Sequence, residues 1–283
     1  MIEFRLLAFD SLGVRSMATV VETSSVKVMI DPSVALAPKR YGLPPHPKEF
    51  ELMREMASLI YEEAMDSDVI VITHYHYDHF DLGDKVPLEV YEGKLVLIKD
   101  PVNKINASQR YKRAPRFLKA IEGLPKEIKV ADGNSFKLSS TTISFSEAVP
   151  HGLNDRLGYV VQVLIEEGGE RFLFSSDVEG PALREQVEFM LRSSPNWAVV
   201  DGPMTYMLGY RYSKDALESS IRNLLSLLDQ PQLELLVLDH HLCRELEFRD
   251  RLKLLGNKFK TAAQASGRPE NLLEAKRKEL YRS

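Results

Sequence analysis

Apolar and polar positions along the 283-residue chain repeat with two periods, one suited to strands and one to helices. Residues 2–9, 15–22 and 26–31 are short apolar-rich runs separated by Gly13 and Ser24-Ser25, which predicts three strands. A Pro-rich loop over 37–48 follows, and His46 within it reads as a plain surface histidine. Met53, Met56, Ala57, Ile60 and Ala64 then recur at helical spacing, predicting a helix over 49–65. The β-branched run Val69-Ile70-Val71-Ile72 reads as a fully buried strand. A short strand over 94–98 and a basic helix over 106–122 come next. In the second half, Ile143-Ser144-Phe145, the run 171–176, Trp197-Ala198-Val199-Val200 and Leu235-Leu236-Val237-Leu238 read as strands. Helices are expected over 181–192, from an N-cap at Ser213 to Leu228 with Asp215 in the first turn, over 244–255, and over the amphipathic stretch 269–281. Strands alternating with helices make this an α/β chain, long enough for one large domain or two small ones.

Several of these strands end in groups that bind metal or carry protons. The strand at 69–72 runs into Thr73-His74-Tyr75-His76-Tyr77-Asp78-His79, which holds three of the chain's seven histidines. In an extended segment residues two apart share a face, so His74 and His76 can point at one ion. Asp78 and His79 follow once the chain has begun to turn and can serve a second ion. Imidazole and carboxylate are ligands that borderline divalent metals prefer. Later strands run to Pro150-His151, to Ser175-Ser176-Asp177 and to Asp239-His240-His241. In layered α/β folds such strand ends converge on a common site. Asp31-Pro32, after the third strand, is an Asx-Pro turn, a support for the site, or both.

The pattern His-x-His-x-Asp-His after an apolar strand resembles the metallo-β-lactamase superfamily of metal-dependent hydrolases. The wording THYHYDHF, SSDVEGP and VLDHHLCRE is most similar to an archaeal branch of predicted hydrolases. That resemblance implies a four-layered αβ/βα sandwich, with two mixed β-sheets flanked by helices, built as a single domain over 1–283. It also implies two divalent metal ions, zinc by preference, with manganese or iron as alternatives. His74, His76 and His151 would hold the first, and Asp78, His79 and His240 the second. Asp177 would bridge the two, and Asp31 would orient a ligand from behind. Either His240 or His241 suits the last position. His240 is preferred because it stands directly past its strand, and His241 then becomes a proton donor or a supporting residue. Two cations ~3.5–4 Å apart can share a hydroxide and stabilise charge on the attacked oxygen, so no serine or cysteine nucleophile is required. The loop Met204-Thr205-Tyr206-Met207-Leu208-Gly209-Tyr210-Arg211-Tyr212 either contacts substrate or packs on its own aromatics. Tyr206 is the candidate leaving-group acid or oxyanion donor.

Composition narrows the classes. At 44% hydrophobic and 28% charged residues the chain is an ordinary globular one, not a disordered one. No run approaches the length of a membrane span, and Glu3, Arg5 and Asp10 interrupt the apolar core a signal peptide would need. One cysteine, Cys243, excludes an internal disulfide and fits a cytoplasmic location. The net charge of −4 argues against a protein that coats nucleic acid. Charge is uneven, however: residues 99–126 hold eight Lys or Arg against Asp100 and Glu122, a segment of +6 that leaves −10 elsewhere. The leading expectation is a hydrolase of a small ester, lactone, thioester or phosphodiester substrate, with an anionic substrate as one option. A nuclease is the rival enzyme, and a non-catalytic metal-binding protein on the same scaffold the rival of another class. Oligomeric state is left open.

Overall fold

Side chains alternate across each strand, and here both faces of the central strands find apolar cover. The computed structural model describes residues 1–282. β1 (Glu3–Phe9), β2 (Met17–Glu22), β3 (Lys27–Ile30), β4 (Val69–Ile72), β5 (Leu95–Ile98) and β6 (Glu127–Val130) form one six-stranded sheet in that order. Its first two pairings are antiparallel and the remaining three parallel. After β7 (Ser135–Leu138) and β8 (Thr141–Phe145) come β9 (Val149–Pro150) and β10 (Tyr159–Val160), which pair only with each other. β11 (Val163–Glu167), β12 (Glu170–Phe174), β13 (Trp197–Asp201) and β14 (Leu235–Asp239) complete the second sheet, ordered β14-β13-β12-β11-β8-β7. There only β12–β13 and β13–β14 are parallel.

Helices close the outer faces. In β4, Val69 and Val71 join the apolar layer between the sheets, while Ile70 and Ile72 pack with Met56, Ile60 and Ala64 of α1 (Pro47–Met65). Phe117 of α2 (Ala114–Ala120) enters the same outer layer. The second sheet repeats the division: Val199 and Val237 face inward, and Ala198, Val200, Leu236 and Leu238 meet Met190 of α3 (Arg184–Ser193) and Ile221 and Leu224 of α4 (Lys214–Leu228). Three apolar layers between four structural ones make the αβ/βα sandwich. Burial on both faces is why these strands are continuous Val, Ile and Leu runs rather than alternating ones. No described helix is long and apolar enough to cross a membrane.

Of the expected helices, one gains an irregular turn and two are corrected. The basic helix expected over 106–122 is present as continuous helix over 107–120, with a π-helical turn at Gln109–Arg113 inside it. The stretch 244–255 is broken into single turns at Phe248–Arg251 and Lys253–Leu255. The stretch 269–281 is helical only at Arg277–Leu280. In the last case Lys276, Lys278 and Glu279 are exposed, but Glu274 and Arg277 are buried. Arg277 is fully buried and donates to Glu49 at 2.6 and 2.8 Å, and to the carbonyls of Ala37 and Leu43. Glu49 also caps α1 by accepting from the His46 backbone N–H. His46 is therefore the N-cap of α1, not a plain surface residue. The strands β6, β7, β10 and β11 were not foreseen; β6 and β7 lie at sheet edges and carry the polar, exposed pattern of that place.

Glu274, in the same terminal stretch, pairs with Arg15 at 2.6 Å. Against the burial that would raise it, Arg15 holds this carboxyl down at about 2, below its ordinary 4.5. A depressed pKa stabilises the folded state above the unfolded value and loses that contribution as pH falls through the folded value. Stability measured by denaturant from pH 5 to pH 2 should therefore fall less steeply in Glu274→Gln than in the parent, and parallel curves would refute the assignment.

Candidate metal centre

Strand ends on one side of both sheets build the site, and they do so with unusual backbone. Asp31 after β3, Ser176 and Glu179 after β12, and His240 after β14 all take positive φ, between 52° and 57°. Non-glycine residues rarely adopt this region, and they cluster where surrounding structure imposes a functional geometry. His74 and His76 lie beyond the end of β4 at Ile72, so the bend at 74–75 brings them together, not the two-residue period of an extended strand. His74 Nε2 is 3.0 Å from His76 Nδ1.

The residues gather in two groups that share one carboxylate. Ligand atoms of His74, His76, His151 and Asp177 lie within 4.8 Å of one another, and so do those of Asp78, His79, Asp177 and His240. Asp177 is the common member: Oδ1 is 3.0 Å from His79 Nε2, and Oδ2 is 3.2 Å from His151 Nε2 and 3.3 Å from His240 Nε2. Asp78 stands at the edge, its Oδ2 3.8 Å from His240 Nε2.

A second set of carboxylates fixes the rings. Asp31 accepts from His79 Nδ1 at 2.8 Å, from the Thr73 backbone at 2.8 Å and from Thr73 Oγ1 at 2.6 Å. Asp10, at the end of β1, accepts from His240 Nδ1 at 2.7 Å and from Arg244 Nε at 2.8 Å. Asp201, at the end of β13, takes His241 Nδ1 at 2.9 Å, which turns that ring away from Asp177 and leaves its Nε2 3.8 Å from Glu179. Glu179 also stands 3.6 Å from His151 Nδ1, and Gln109 Nε2 lies 3.1 Å from His76 Nε2. Such partners set which imidazole nitrogen faces inward.

The donor set fits divalent metal. His79 Nε2, both ring nitrogens of His151 and Asp177 Oδ1 are buried, and despite the short distances none finds hydrogen-bonding alignment among the described residues. Buried polar atoms without partners are costly unless something else satisfies them. Charge points the same way. Asp10, Asp31, Asp78, Asp177, Glu179 and Asp201 converge here with Arg244 set among them, an excess of carboxylate that favours added cations. Burial, then repulsion from His79, pushes His74 well below the ordinary imidazole range, and burial and His151 bring His76 down to about 3. Those rings are held neutral, the form that ligates. Against burial, Asp177 and Asp31 raise His79, and Asp177 and Asp10 raise His240 to about 10. A positive charge beside Asp177 is thus favoured. Arg244 Nη2 also sits 3.1 Å from His240 Nε2, so this guanidinium shares the second group's space.

Asp10, Glu179, Asp201, Arg244 and Gln109 were not assigned from sequence. Asp10 and Asp201 carry the same signal as Asp31, an acid directly past an apolar strand, while Arg244 and Gln109 carry none. Tyr206 is half-buried, with Arg40 stacked over its ring at 4.7 Å and Arg244 beside it. Cys243 is buried, and burial raises its thiol well above the usual range.

Comparison with known proteins agrees with this picture. Residues 13–80 match the metallo-beta-lactamase superfamily model. A UPF0282 protein of Korarchaeum cryptofilum is 53% identical over 97% of this chain and 93% of its own. Another, from Sulfurisphaera tokodaii, is 48% identical over 98% and 92%. Among solved structures, the metallo-beta-lactamase fold protein YhfI from Bacillus subtilis superposes with a TM-score of 0.52 at 13% identity, covering 92% of this chain and 93% of that one. Zn(2+)-bound PqqB from Methylobacterium extorquens gives 0.50 at 13% identity, covering 85% and 89%. At those identities the structural matches speak to the fold alone.

Proposed function

The chain belongs to the UPF0282 family, an archaeal branch of the metallo-β-lactamase superfamily, and on that premise we propose that it is a metal-dependent hydrolase of the cytoplasm. The bond cleaved is an ester, lactone, thioester or phosphodiester. The observation that carries this reading is one buried carboxylate, Asp177, shared by two sets of imidazole and carboxylate groups with unsatisfied inward-facing atoms. His74, His76, His151 and Asp177 would hold one ion, and Asp78, His79, His240 and Asp177 the other. Bound there, a divalent pair supplies a water of lowered pKa and Lewis-acid stabilisation of negative charge. Nitrogen and oxygen donors suit zinc, manganese or iron.

The chain's own residues do the rest. Asp31 and Asp10 hold the Nδ1 protons of His79 and His240, which turns each Nε2 inward as the ligating nitrogen, that of His240 in place of its present contact with Arg244 Nη2. His241, with Nδ1 committed to Asp201, keeps Nε2 towards Glu179 and is the candidate proton carrier. Tyr206, beside Arg244, is the weaker candidate for an oxyanion donor. The nuclease reading retains one favourable observation: Gln109 and Arg113 of the basic segment bond to His76 and to the Tyr75 carbonyl, so part of that segment borders the site.

Protein prepared without chelator should carry about two equivalents of zinc, manganese or iron by elemental analysis, since seven ligands exceed the three or four one zinc uses. The same preparation should hydrolyse at least one member of a panel of esters, lactones, thioesters and phosphodiesters. Less than half an equivalent after metal repletion removes the dinuclear reading. Full occupancy with no turnover favours a metal-binding protein, and turnover confined to RNA or DNA favours the nuclease.

A further inference from the structure

A cleft of about 280 Å³ opens directly beside the centre. Its floor is His151 and Glu179, and two loops form its walls. One wall is the loop after β9, which contributes Leu153, Asn154, Arg156 and Leu157; the other is the loop after β13, with Met204, Tyr210 and Arg211. A larger hollow of about 450 Å³, between α1 and residues Asp84 to Pro87, holds no histidine.

Surface arginines are of two kinds: some are paired with carboxylates, while others, Arg54, Arg110, Arg116 and Arg192 among them, have no ion-pair partner among the described residues. Arg5, Arg15, Arg171, Arg184, Arg249 and Arg251 are all committed to carboxylates. Arg156 and Arg211 belong to the second kind, without an ion-pair partner among the described residues, and they are the two arginines that line this cleft. Arg211 rests over the exposed ring of Tyr210 at 5.6 Å. Asn154 shapes the opposite wall by accepting from the Arg156 backbone N–H at 3.0 Å. This wall is braced from outside by the basic segment, through Asn106 Nδ2 to the Arg156 carbonyl and Gln109 Nε2 to the Leu157 carbonyl. Gly152, at φ +78°, lets the loop start tight against the floor, since a Cβ there would lie 2.2 Å from Glu179 Oε2.

We propose that Arg156 and Arg211 are specificity residues that clasp an oxyanionic tail of the substrate, a carboxylate or phosphate, while Leu153, Leu157 and Met204 take the apolar segment between that tail and the bond cleaved. The proposal rests on the hydrolase reading above. Guanidinium forks match both oxyanions bidentately, and two of them across one opening suit a charged group better than a neutral one. The buried carboxylate of Glu179 places the anion at the mouth, away from the floor. Substrates are thus small anionic esters or thioesters held end-on.

The test uses a pair of esters that differ only at the tail, mono-4-nitrophenyl glutarate and 4-nitrophenyl pentanoate, with metal-replete protein. Arg156→Gln and Arg211→Gln should each raise KM for the glutarate ester about tenfold, the scale of one charge-assisted hydrogen bond, and leave the pentanoate ester within about twofold. The difference should shrink at high salt, because both side chains are exposed. Equal effects on the two esters, or none, overturn the proposal while hydrolysis by the parent leaves the enzyme reading intact. If the parent cleaves neither ester, calorimetry with free glutarate decides separately. Binding that is lost in the double variant supports the clasp, and equal binding by parent and variant rejects it.

Discussion

Asp177→Ala should lower hydrolysis by about a thousandfold or more, roughly 4 kcal/mol of barrier, while leaving a folded protein. The size follows from position. Asp177 alone belongs to both ligand groups, and three imidazoles lie within 3.3 Å of its two oxygens. Removing it withdraws a ligand from each ion and leaves His79, His151 and His240 clustered without the carboxylate between them. Repulsion among those rings replaces attraction, so metal content should fall with activity. The fold should survive because its stability comes from the three apolar layers, none of which includes Asp177. Elemental analysis, circular dichroism and turnover on one preparation check all three statements. Full metal occupancy with retained turnover would sink the bridging assignment. His76→Ala is the milder comparison, since it strips one group only.

The largest stability effect is expected far from the centre, at Arg277. Arg277→Met should destabilise the protein by roughly 3–5 kcal/mol, because it strands a buried Glu49 carboxylate without its partner. Both side chains are essentially inaccessible, at 0% and 1% exposure, so water cannot take the guanidinium's place. The carbonyls of Ala37 and Leu43 lose a donor as well. Pairing Arg277→Met with Glu49→Gln should recover part of the loss, since the double variant buries no unpaired charge. Urea denaturation of the parent, both single variants and the double variant measures the coupling. Additive losses would mean the two groups do not depend on each other.

Local chemistry made much of this protein legible before folding was considered. The apolar runs at 26–31, 69–72, 171–176, 197–200 and 235–238 all became strands, because a β-branched or leucine-rich run bounded by turn residues has few other uses. His74, His76, Asp78 and His79 are neighbours in the chain, so their proximity needs no tertiary information, and each of His151, Asp177 and His240 stands past its own strand. The failures lie where the chain packs through distant partners. At 244–255 and 269–281 only short turns form, and Arg244 and Arg277 in those stretches are bound to acids more than 200 positions away, partners that local periodicity does not reveal.

Which of the two adjacent histidines faces Asp177 was likewise undecidable from order alone. A φ of +57° at His240, with Asp10 behind it and Asp201 capturing its neighbour, turns His240 towards Asp177 and His241 towards Glu179. Asp10 meets His240 across 230 positions, and Asp201 meets His241 across 40. Sequence alone determined which groups the strand ends would carry, because side-chain type and strand period are local properties. Only the tertiary arrangement decided which nitrogen of each ring faces inward, through neighbouring strands of one sheet for His79 and His241 and through the packing of the two sheets for His240, because that choice belongs to hydrogen-bond partners that chain order keeps apart.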